Sequence, residues 1–221
     1  MLKALANEPD EVLARETGRG DLDAFDELVR RYQHRIYGFV LQFVANPTDA
    51  REVTQDAFLG GFAAIHQYRP GMPFSSWLFA IARNKAIDRL RSRKEVSDQD
   101  APENPDYDDP AVLLVRREDN AEIWQRARQV LPELQFQAVW LRYVEDMDVA
   151  GIAAVLGKTK THVKVLLFRA RRLLAASVSS ARDFASTANH NPKGRRMADS
   201  AGNTATTRHN DLGPWTLKVG P

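Results

Sequence analysis

Residues 149 to 168 combine small, apolar and basic side chains at a spacing that suits DNA binding. The segment reads VAGIAAVLGKTKTHVKVLLF, with Ala153 where a first helix needs a small side chain and Gly157 four residues later at the turn. Glycine suits the left-handed backbone of such a turn. The apolar positions of a shared core follow: Ile152, Leu156, Val163 and Leu166. The pattern predicts a helix-turn-helix, although on spacing alone an ordinary helical hairpin is an equal alternative.

The charge of this segment favours the helix-turn-helix. From Lys158 to Arg172 there are six basic residues and no acid. A solvated helix usually interleaves charges of both signs, whereas a helix of one sign suits the phosphates of DNA. From the geometry of recognition helices we expect Lys160, Thr161 and Lys164 at base edges and Arg169, Arg171 and Arg172 at phosphates. For Phe168, contact with a thymine methyl group and burial in the core both remain open.

A second basic stretch lies earlier in the chain, beside aromatic residues. Residues 82 to 94 hold six basic residues and one acid, and Tyr68, Phe74, Trp77 and Phe79 precede them around a Pro-Gly loop. Cations beside aromatic rings suit single-stranded nucleic acid, because unstacked bases lie on the rings and phosphates on the cations. The alternative is that the aromatic side chains belong to the core. We favour the core for Phe79, whereas both interpretations stay open for Trp77.

Helical periodicity dominates the chain, and no segment shows the alternation of a strand. A first helix is expected from an N-cap at Asp21 to Asn46-Pro47, and a second from Thr48 or Asp49, with inward residues Val53, Ala57, Phe58, Phe62 and Ile65. A third is expected after a cap at Ser75 or Ser76, with apolar positions Trp77, Leu78, Ile81, Ile87 and Leu90. The fold class predicted is all-α.

The distribution of charge divides the chain. Residues 95 to 109 contain seven acids, two prolines and no Lys or Arg, which indicates an extended linker. Helical periodicity returns near Val112 and lasts to about Ala176. We therefore predict a helical domain at residues 10–94, an acidic linker at 95–111 and a second helical domain at 112–176. The remaining residues, 177–221, are predicted to form a disordered tail or a regulatory extension.

Several classes of function are disfavoured. The chain has no cysteine, and its five histidines lack metal-ligand spacing. We find neither a phosphate-cradling glycine loop nor a nucleophile motif, so we expect no enzyme activity, no cofactor and no metal. Residues 1 to 10 lack the apolar core of a signal peptide, and no apolar run approaches the roughly 18 residues of a membrane span. We expect a cytoplasmic protein without membrane insertion.

Two segments, in order, resemble the second and fourth conserved regions of the extracytoplasmic-function (ECF) sigma factors of bacterial RNA polymerase. They are residues 49 to 94 (DAREVTQDAFLGGFAAI to FSSWLFAIARNKAIDRLRSRK) and 131 to 174 (LPELQFQAVWLRYVEDMDVAGIAAVLGKTKTHVKVLLFRARRLL). The resemblance covers about residues 10 to 176, with a linker where the family has one. It implies a dissociable polymerase subunit that recognises promoters and catalyses nothing. The linker corresponds to a segment in the polymerase's RNA path, where its carboxylates would mimic phosphates.

The resemblance also implies a role for individual positions. The clamp helices of the largest polymerase subunit would meet Glu52, Gln55 and Asp56. The −10 element, melted at the loop before Trp77, would meet Trp77, Arg83, Asn84, Lys85, Arg89 and Arg91. The −35 element would meet Lys164, Val165, Phe168 and Arg169, beside the residues expected from charge. The implied partners are core RNA polymerase, including the flap of its second-largest subunit, and promoter DNA. Regulation by an anti-sigma factor and regulation by the C-terminal tail both remain open.

The sequence departs from the family pattern at several positions. Gly60 and Gly61 replace a charged residue and an alanine, and Gly151 replaces a usual glutamate. Val165 and Leu166 replace small polar and basic residues in the recognition helix, so the family's −35 preference cannot be transferred. The alternative function is a helix-turn-helix regulator that binds an operator directly as a dimer. That alternative leaves the basic-aromatic segment and the acidic linker unexplained.

Overall fold

The computed structural model describes residues 5–96 and 121–188, and in these ranges the regular structure is helical, with no strand. The first range contains α1 (Asp10–Gly18), α2 (Leu22–Val44), α3 (Pro47–Ala64), a 3-10 turn at Ile65–Gln67 and α4 (Phe74–Val96). The second contains α5 (Ala121–Val130), α6 (Glu133–Tyr143), α7 (Val149–Leu156) and α8 (Lys160–Ala188). The predicted all-α class is confirmed.

Polar side chains set the starts of α2 and α3. The Asp21 carboxylate accepts a hydrogen bond from the Ala24 amide at 3.1 Å, which confirms the predicted N-cap. The Asn46 side chain accepts one from the Asp49 amide at 3.0 Å. Helix α3 therefore begins at Pro47, slightly earlier than predicted, because proline fits the first helical turn.

The start of α4 differs from the prediction, and α1 was not predicted at all. Helix α4 begins at Phe74, and the Pro73 carbonyl accepts the Trp77 amide at 3.3 Å. A cap at Ser75 or Ser76 is therefore wrong, and Ser76 lies buried inside the helix. Helix α1 has only 9 residues, which leaves too short an apolar stripe for a periodicity argument.

The first four helices share an apolar core around Leu28, Phe39 and Phe79, which are fully buried. The Phe39 and Phe79 ring centroids are 5.2 Å apart, so the core interpretation of Phe79 is confirmed. Two residues predicted to face inward are more than a third exposed, Phe62 at 38% and Leu90 at 39%. Phe62 lies in the last turn of α3, and its ring still contacts that of Phe25, with the centroids 4.8 Å apart.

A polar network joins α1 to α2. The Glu27 carboxylate accepts hydrogen bonds from Arg30 at 2.6 and 2.7 Å and from Arg31 at 2.7 Å. These bonds from Arg30 and Arg31 lower the pKa of Glu27 to about 2. Arg31 also donates to Asp10 at 2.5 Å, and the Tyr32 hydroxyl donates to the other oxygen of Asp10. The network ties the first turn of α1 to the middle of α2.

Helices α5 to α8 pack around a second set of buried side chains, which includes Phe136, Trp140, Ile152 and Val163. The Trp124 and Trp140 ring centroids are 5.0 Å apart. Helix α8 continues to Ala188, beyond the point near Ala176 where periodicity was expected to end. The predicted linker beyond Val96 and the predicted tail beyond Ala188 lie outside the described residues.

Helices α4 and α7 pack directly against each other, within a compact unit that spans Met1–Arg182. Arg35 forms an ion pair with the buried carboxylate of Glu145 at 2.9 Å. Burial raises the pKa of Glu145 and outweighs the nearby Arg35 charge. A Cβ atom at Gly151 would lie 2.6 Å from the Ser76 hydroxyl oxygen, so the close approach requires a glycine at this position.

Candidate nucleic-acid interface

The turn between α7 and α8 has the geometry that the sequence predicts. Asp148 caps α7 by accepting a hydrogen bond from the Gly151 amide at 2.7 Å. Gly157 ends the helix with φ 62° and ψ 39°, in the left-handed region, and the Lys158 amide donates to the Ala153 carbonyl at 3.0 Å. The Thr159 hydroxyl accepts from the His162 amide at 3.2 Å and caps α8.

The predicted core between these two helices is confirmed. Ile152 and Val163 are fully buried, Leu156 is 2% exposed and Leu166 is 6% exposed. Ala153 is also buried, as expected for a small residue at the helix crossing. A recognition helix in such a motif is held rigidly by one face and presents the opposite face to the groove.

Every residue that the sequence assigned to the −35 element lies exposed on α8. They are Lys160, Thr161, Lys164, Val165, Phe168, Arg169, Arg171 and Arg172. Phe168 is 59% exposed, so its core interpretation is wrong. The Arg172 guanidinium lies 5.9 Å from the centroid of the Phe168 ring. Among the side chains that the structure describes, no carboxylate pairs with the cations of this helix.

The loop before α4 is closed by an aromatic cluster. The Trp77 ring lies 5.5 Å from that of Tyr68 and 5.6 Å from that of Phe74. The Tyr68 hydroxyl donates to the Met72 carbonyl at 2.8 Å, across a turn in which Gly71 has φ 119°. Trp77 is only partly buried, so it contributes to the core and also presents an edge to solvent.

The basic face of α4 is only partly open. Asn84, Lys85, Arg89 and Arg91 are exposed. Arg83 is the exception, because its Nε donates to the Gln137 side-chain oxygen of α6 at 2.8 Å. Burial lowers the pKa of Arg83 from its usual value. This contact could not be predicted from the sequence, because Gln137 carries no charge that would mark it as a partner.

Arg89 joins two sets of residues that the sequence analysis kept apart. Its guanidinium lies 2.6 Å from an oxygen of Asp49 and 2.8 Å from an oxygen of Glu52. The hydrogen bonds that Arg89 donates to Asp49 raise the pKa of Arg89. A residue expected at −10 DNA is thus already paired with one expected at the polymerase, Glu52.

The polar face of α3 lies beside an apolar groove that the sequence analysis missed. Gln55 and Asp56 are exposed, as expected for residues opposite the buried Val53 and Ala57. The groove has a volume of about 470 Å³. Its lining includes Phe25, Val29, Tyr37, Gln55, Phe58 and Leu59. The available signal in the sequence was the apolar Leu59 on the same helix face as Gln55 and Asp56, and in the structure it is 59% exposed.

The described residues were also considered as a metal site and as a membrane span. In residues 5–96 and 121–188, no group of His, Asp or Glu side chains is arranged to hold a metal ion. None of the helices in these ranges is both long and apolar enough to span a membrane.

Comparison with known proteins assigns the two halves of the chain to families. Residues 28–96 match Sigma-70 region 2, and residues 121–174 match Sigma-70, region 4. Among solved structures, CnrH in complex with the cytosolic domain of CnrY is similar, with a TM-score of 0.56 and 25% identity over 78% of this chain and 99% of that chain. The sigma factor RpoE of Bartonella quintana, solved with the anti-sigma factor NepR, shares the fold, with a TM-score of 0.54 and 20% identity over 70% of this chain and 96% of that one.

Two curated relatives extend this likeness over most of the chain. The RNA polymerase sigma-H factor of Pseudomonas aeruginosa is 33% identical over 182 residues, covering 77% of this chain and 94% of the relative. The ECF RNA polymerase sigma-E factor of Escherichia coli is 31% identical over 176 residues, covering 75% and 92%. With an exposed recognition helix, a basic-aromatic surface and both conserved regions in order, the chain belongs to the ECF sigma factors of RNA polymerase.

Proposed function

We propose that this chain is a dissociable subunit that binds core RNA polymerase, directs it to promoters and catalyses no reaction itself. The observation that carries the proposal is the ordered presence of sigma regions 2 and 4, each with an exposed cationic helix. The chain acts where the polymerase acts, in the cytoplasm.

Helix α8 is the element proposed for the −35 duplex. Its cations are exposed on a helix held by a helix-turn-helix core, and duplex DNA is the polyanion that this geometry accommodates. We place Lys160, Thr161, Lys164, Val165 and Phe168 toward base edges. We place Arg169, Arg171 and Arg172 toward the sugar-phosphate backbone, with Arg169 also able to reach an adjacent base.

Helix α4 and the loop before it are proposed for the melted −10 element. The partly exposed ring of Trp77 offers a stacking platform for an unstacked base. Asn84, with both donor and acceptor groups, is placed to read a base edge. Lys85, Arg89 and Arg91 lie where phosphates would pass, and Arg83 joins them once it leaves Gln137.

Helix α3 is proposed as the main contact with the polymerase clamp helices. Gln55 and Leu59 line the apolar groove, and Asp56 is exposed next to Gln55 on the same helix. An apolar centre with a polar rim is the usual anatomy of a protein interface. Glu52 lies at the edge of this surface, where the polymerase would compete with Arg89 for its carboxylate.

The decisive experiment is runoff transcription with purified core RNA polymerase and native promoter fragments. We expect promoter-specific transcripts only when both the core enzyme and this protein are present. Tight binding of a palindromic operator by a dimer of this protein without polymerase, together with no transcript from any native promoter, would show that it is a conventional regulator.

The proposal extends to regulation by a protein inhibitor. CnrH was solved with the cytosolic domain of CnrY, and this chain shares the fold of CnrH over most of its length. We propose a comparable protein partner here, identified by pull-down with the products of neighbouring genes. Deleting residues 189–221 and repeating the transcription assay tests the tail as the alternative regulator.

A further inference from the structure

The outermost face of α8 is apolar at its centre. Residues spaced by four, three and four share one helix face: Thr161, Val165, Phe168 and Arg172. The fully buried Val163 and Ala170 mark the opposite face. This stripe of four residues therefore points away from the core. In a helix-turn-helix, the corresponding face of the recognition helix lies against the floor of the major groove.

Val165 and Phe168 form the centre of this stripe and have no place in the core. Val165 is 40% exposed and Phe168 is 59% exposed. They are three residues apart, so their side chains are neighbours on the helix surface. Arg172, whose guanidinium lies 5.9 Å from the Phe168 ring centroid, restrains that ring on the outer face.

Cations flank the apolar centre on both sides. Lys160, Lys164 and Arg171, spaced by four and seven residues, share one flank, and Arg169 lies on the other. An apolar ridge with three cations on one side and one on the other matches a partner with apolar groups at the bottom of a groove and anions along both edges. In duplex DNA the apolar groups of the major groove are the C5 methyl groups of thymine.

We infer that Val165 and Phe168 read thymine methyl groups, so that this sigma factor selects A·T pairs in the −35 element by apolar contact. The inference rests on the proposed placement of α8 at the −35 duplex and adds the chemistry of its reading. Valine has no hydrogen-bonding group, so Val165 discriminates by the presence of a methyl and by shape. Hydrogen bonds to base edges come from the flanking residues, among which Lys164 can donate to the O6 and N7 acceptors of a guanine.

The experiment uses holoenzyme and templates randomised across the −35 window, each with a barcode in its transcribed region that identifies the −35 sequence of every active template. The preferred thymines are then replaced one at a time by deoxyuridine, which removes only the methyl group. For the wild-type protein we expect initiation to fall about fourfold at the positions that Val165 and Phe168 contact, the effect of losing one buried methyl. In V165A, the deoxyuridine replacement at one of these positions should cause little further loss.

Leu173 supplies a matched control, because it is an exposed apolar residue of α8, 39% exposed, that lies off this face. L173A should keep the deoxyuridine effect of the wild-type protein, and thermal unfolding of each variant shows that α8 is intact. Equal initiation from thymine and deoxyuridine templates at every −35 position would overturn the inference while leaving −35-dependent transcription in place. The absence of any −35-dependent transcript would instead reject the proposed function.

Discussion

Val163 and Lys164 are neighbours on α8, yet Val163 is fully buried and Lys164 is exposed. Residue type and helical period were enough to predict this difference, because a helix-turn-helix has one rigid core side. Whether Phe168 is buried or exposed could not be predicted in this way, since an aromatic residue fits a core and a methyl contact equally well. Its exposure depends on which helices pack near it, which is a property of the tertiary structure.

The first prediction concerns the contribution of Lys164 and Arg169 to −35-dependent initiation. K164A and R169A should each weaken −35-dependent initiation by about tenfold or more, because each removes a contact to a base edge or phosphate that no described neighbour replaces. Runoff transcription over a range of promoter concentrations measures the loss. R126A removes an exposed cation of α5, outside the proposed recognition helix, and should be neutral. Unchanged promoter use by K164A and R169A would show that α8 is not the recognition helix.

Glu27 carries a prediction about stability and pH. Its folded-state pKa of about 2 lies below the ordinary 4.5, so the ionised carboxylate stabilises the fold above pH 4.5. This contribution is lost as the pH falls from about 4.5 through 2, where Glu27 is protonated in the folded state. Because the Arg30 side chain is 64% exposed and solvent screens the pair, we expect E27Q to cost only about 1–2 kcal/mol at pH 7.

Urea unfolding of E27Q between pH 7 and pH 3 measures this contribution. The difference in the free energy of unfolding from the wild-type protein should shrink toward the acid end. The matched control is E16Q, whose carboxylate forms an exposed pair with Arg19 at 2.8 Å and should matter far less. A constant difference across this pH range would contradict the role assigned to the Glu27 carboxylate.

At the scale of elements, the starts of α2 and α3 could be predicted because side chains adjacent in sequence set them. The contacts between the first four helices and the last four could not. Arg83 of α4 bonds to Gln137 of α6, 54 residues away, and Arg35 of α2 bonds to Glu145 after α6, 110 residues away. The packing of α4 on α7 brings Ser76 close to Gly151. In the sequence this glycine is a departure from the family with no evident partner.

Gly151 tests that packing. Alanine favours a helix over glycine by about 1 kcal/mol, so a free α7 would gain stability from G151A. In this structure the added Cβ would lie 2.6 Å from the Ser76 oxygen, so we expect no gain or a net loss. G60A is the matched control: its Cβ would meet Lys85 at 3.5 Å, an ordinary contact, and should add up to about 1 kcal/mol.

Thermal unfolding of the variants, together with G151A in the S76A background, measures the coupling between the two helices. The cost of G151A should fall when the Ser76 hydroxyl is absent. If G151A stabilises the protein as much as G60A does, α7 does not approach α4 this closely in solution.

At the scale of the whole molecule, the two cationic helices belong to a single compact unit, although the sequence predicts two domains separated by a linker. The packing of α4 on α7 and the bond from Arg83 to Gln137 hold one −10 residue against the second half of the chain. Contact of all the proposed −10 residues with DNA therefore requires Arg83 to exchange Gln137 for a phosphate. The surface proposed for the polymerase lies on a different helix, α3, where Gln55 and Asp56 are exposed.

Gln55 and Asp56 test that open surface. The double variant Q55A and D56A removes polar groups from the rim of the groove without touching the buried side of α3, so the fold should be spared. We expect the affinity for core RNA polymerase to fall about tenfold or more, because a few interface residues carry most of the binding energy. Pull-down titration with core enzyme measures the affinity, and thermal unfolding checks the fold. The control pair E11A and Q125A removes one carboxylate and one amide, as the test pair does, at exposed positions outside α3. Wild-type capture by Q55A and D56A would place the polymerase contact elsewhere on the molecule.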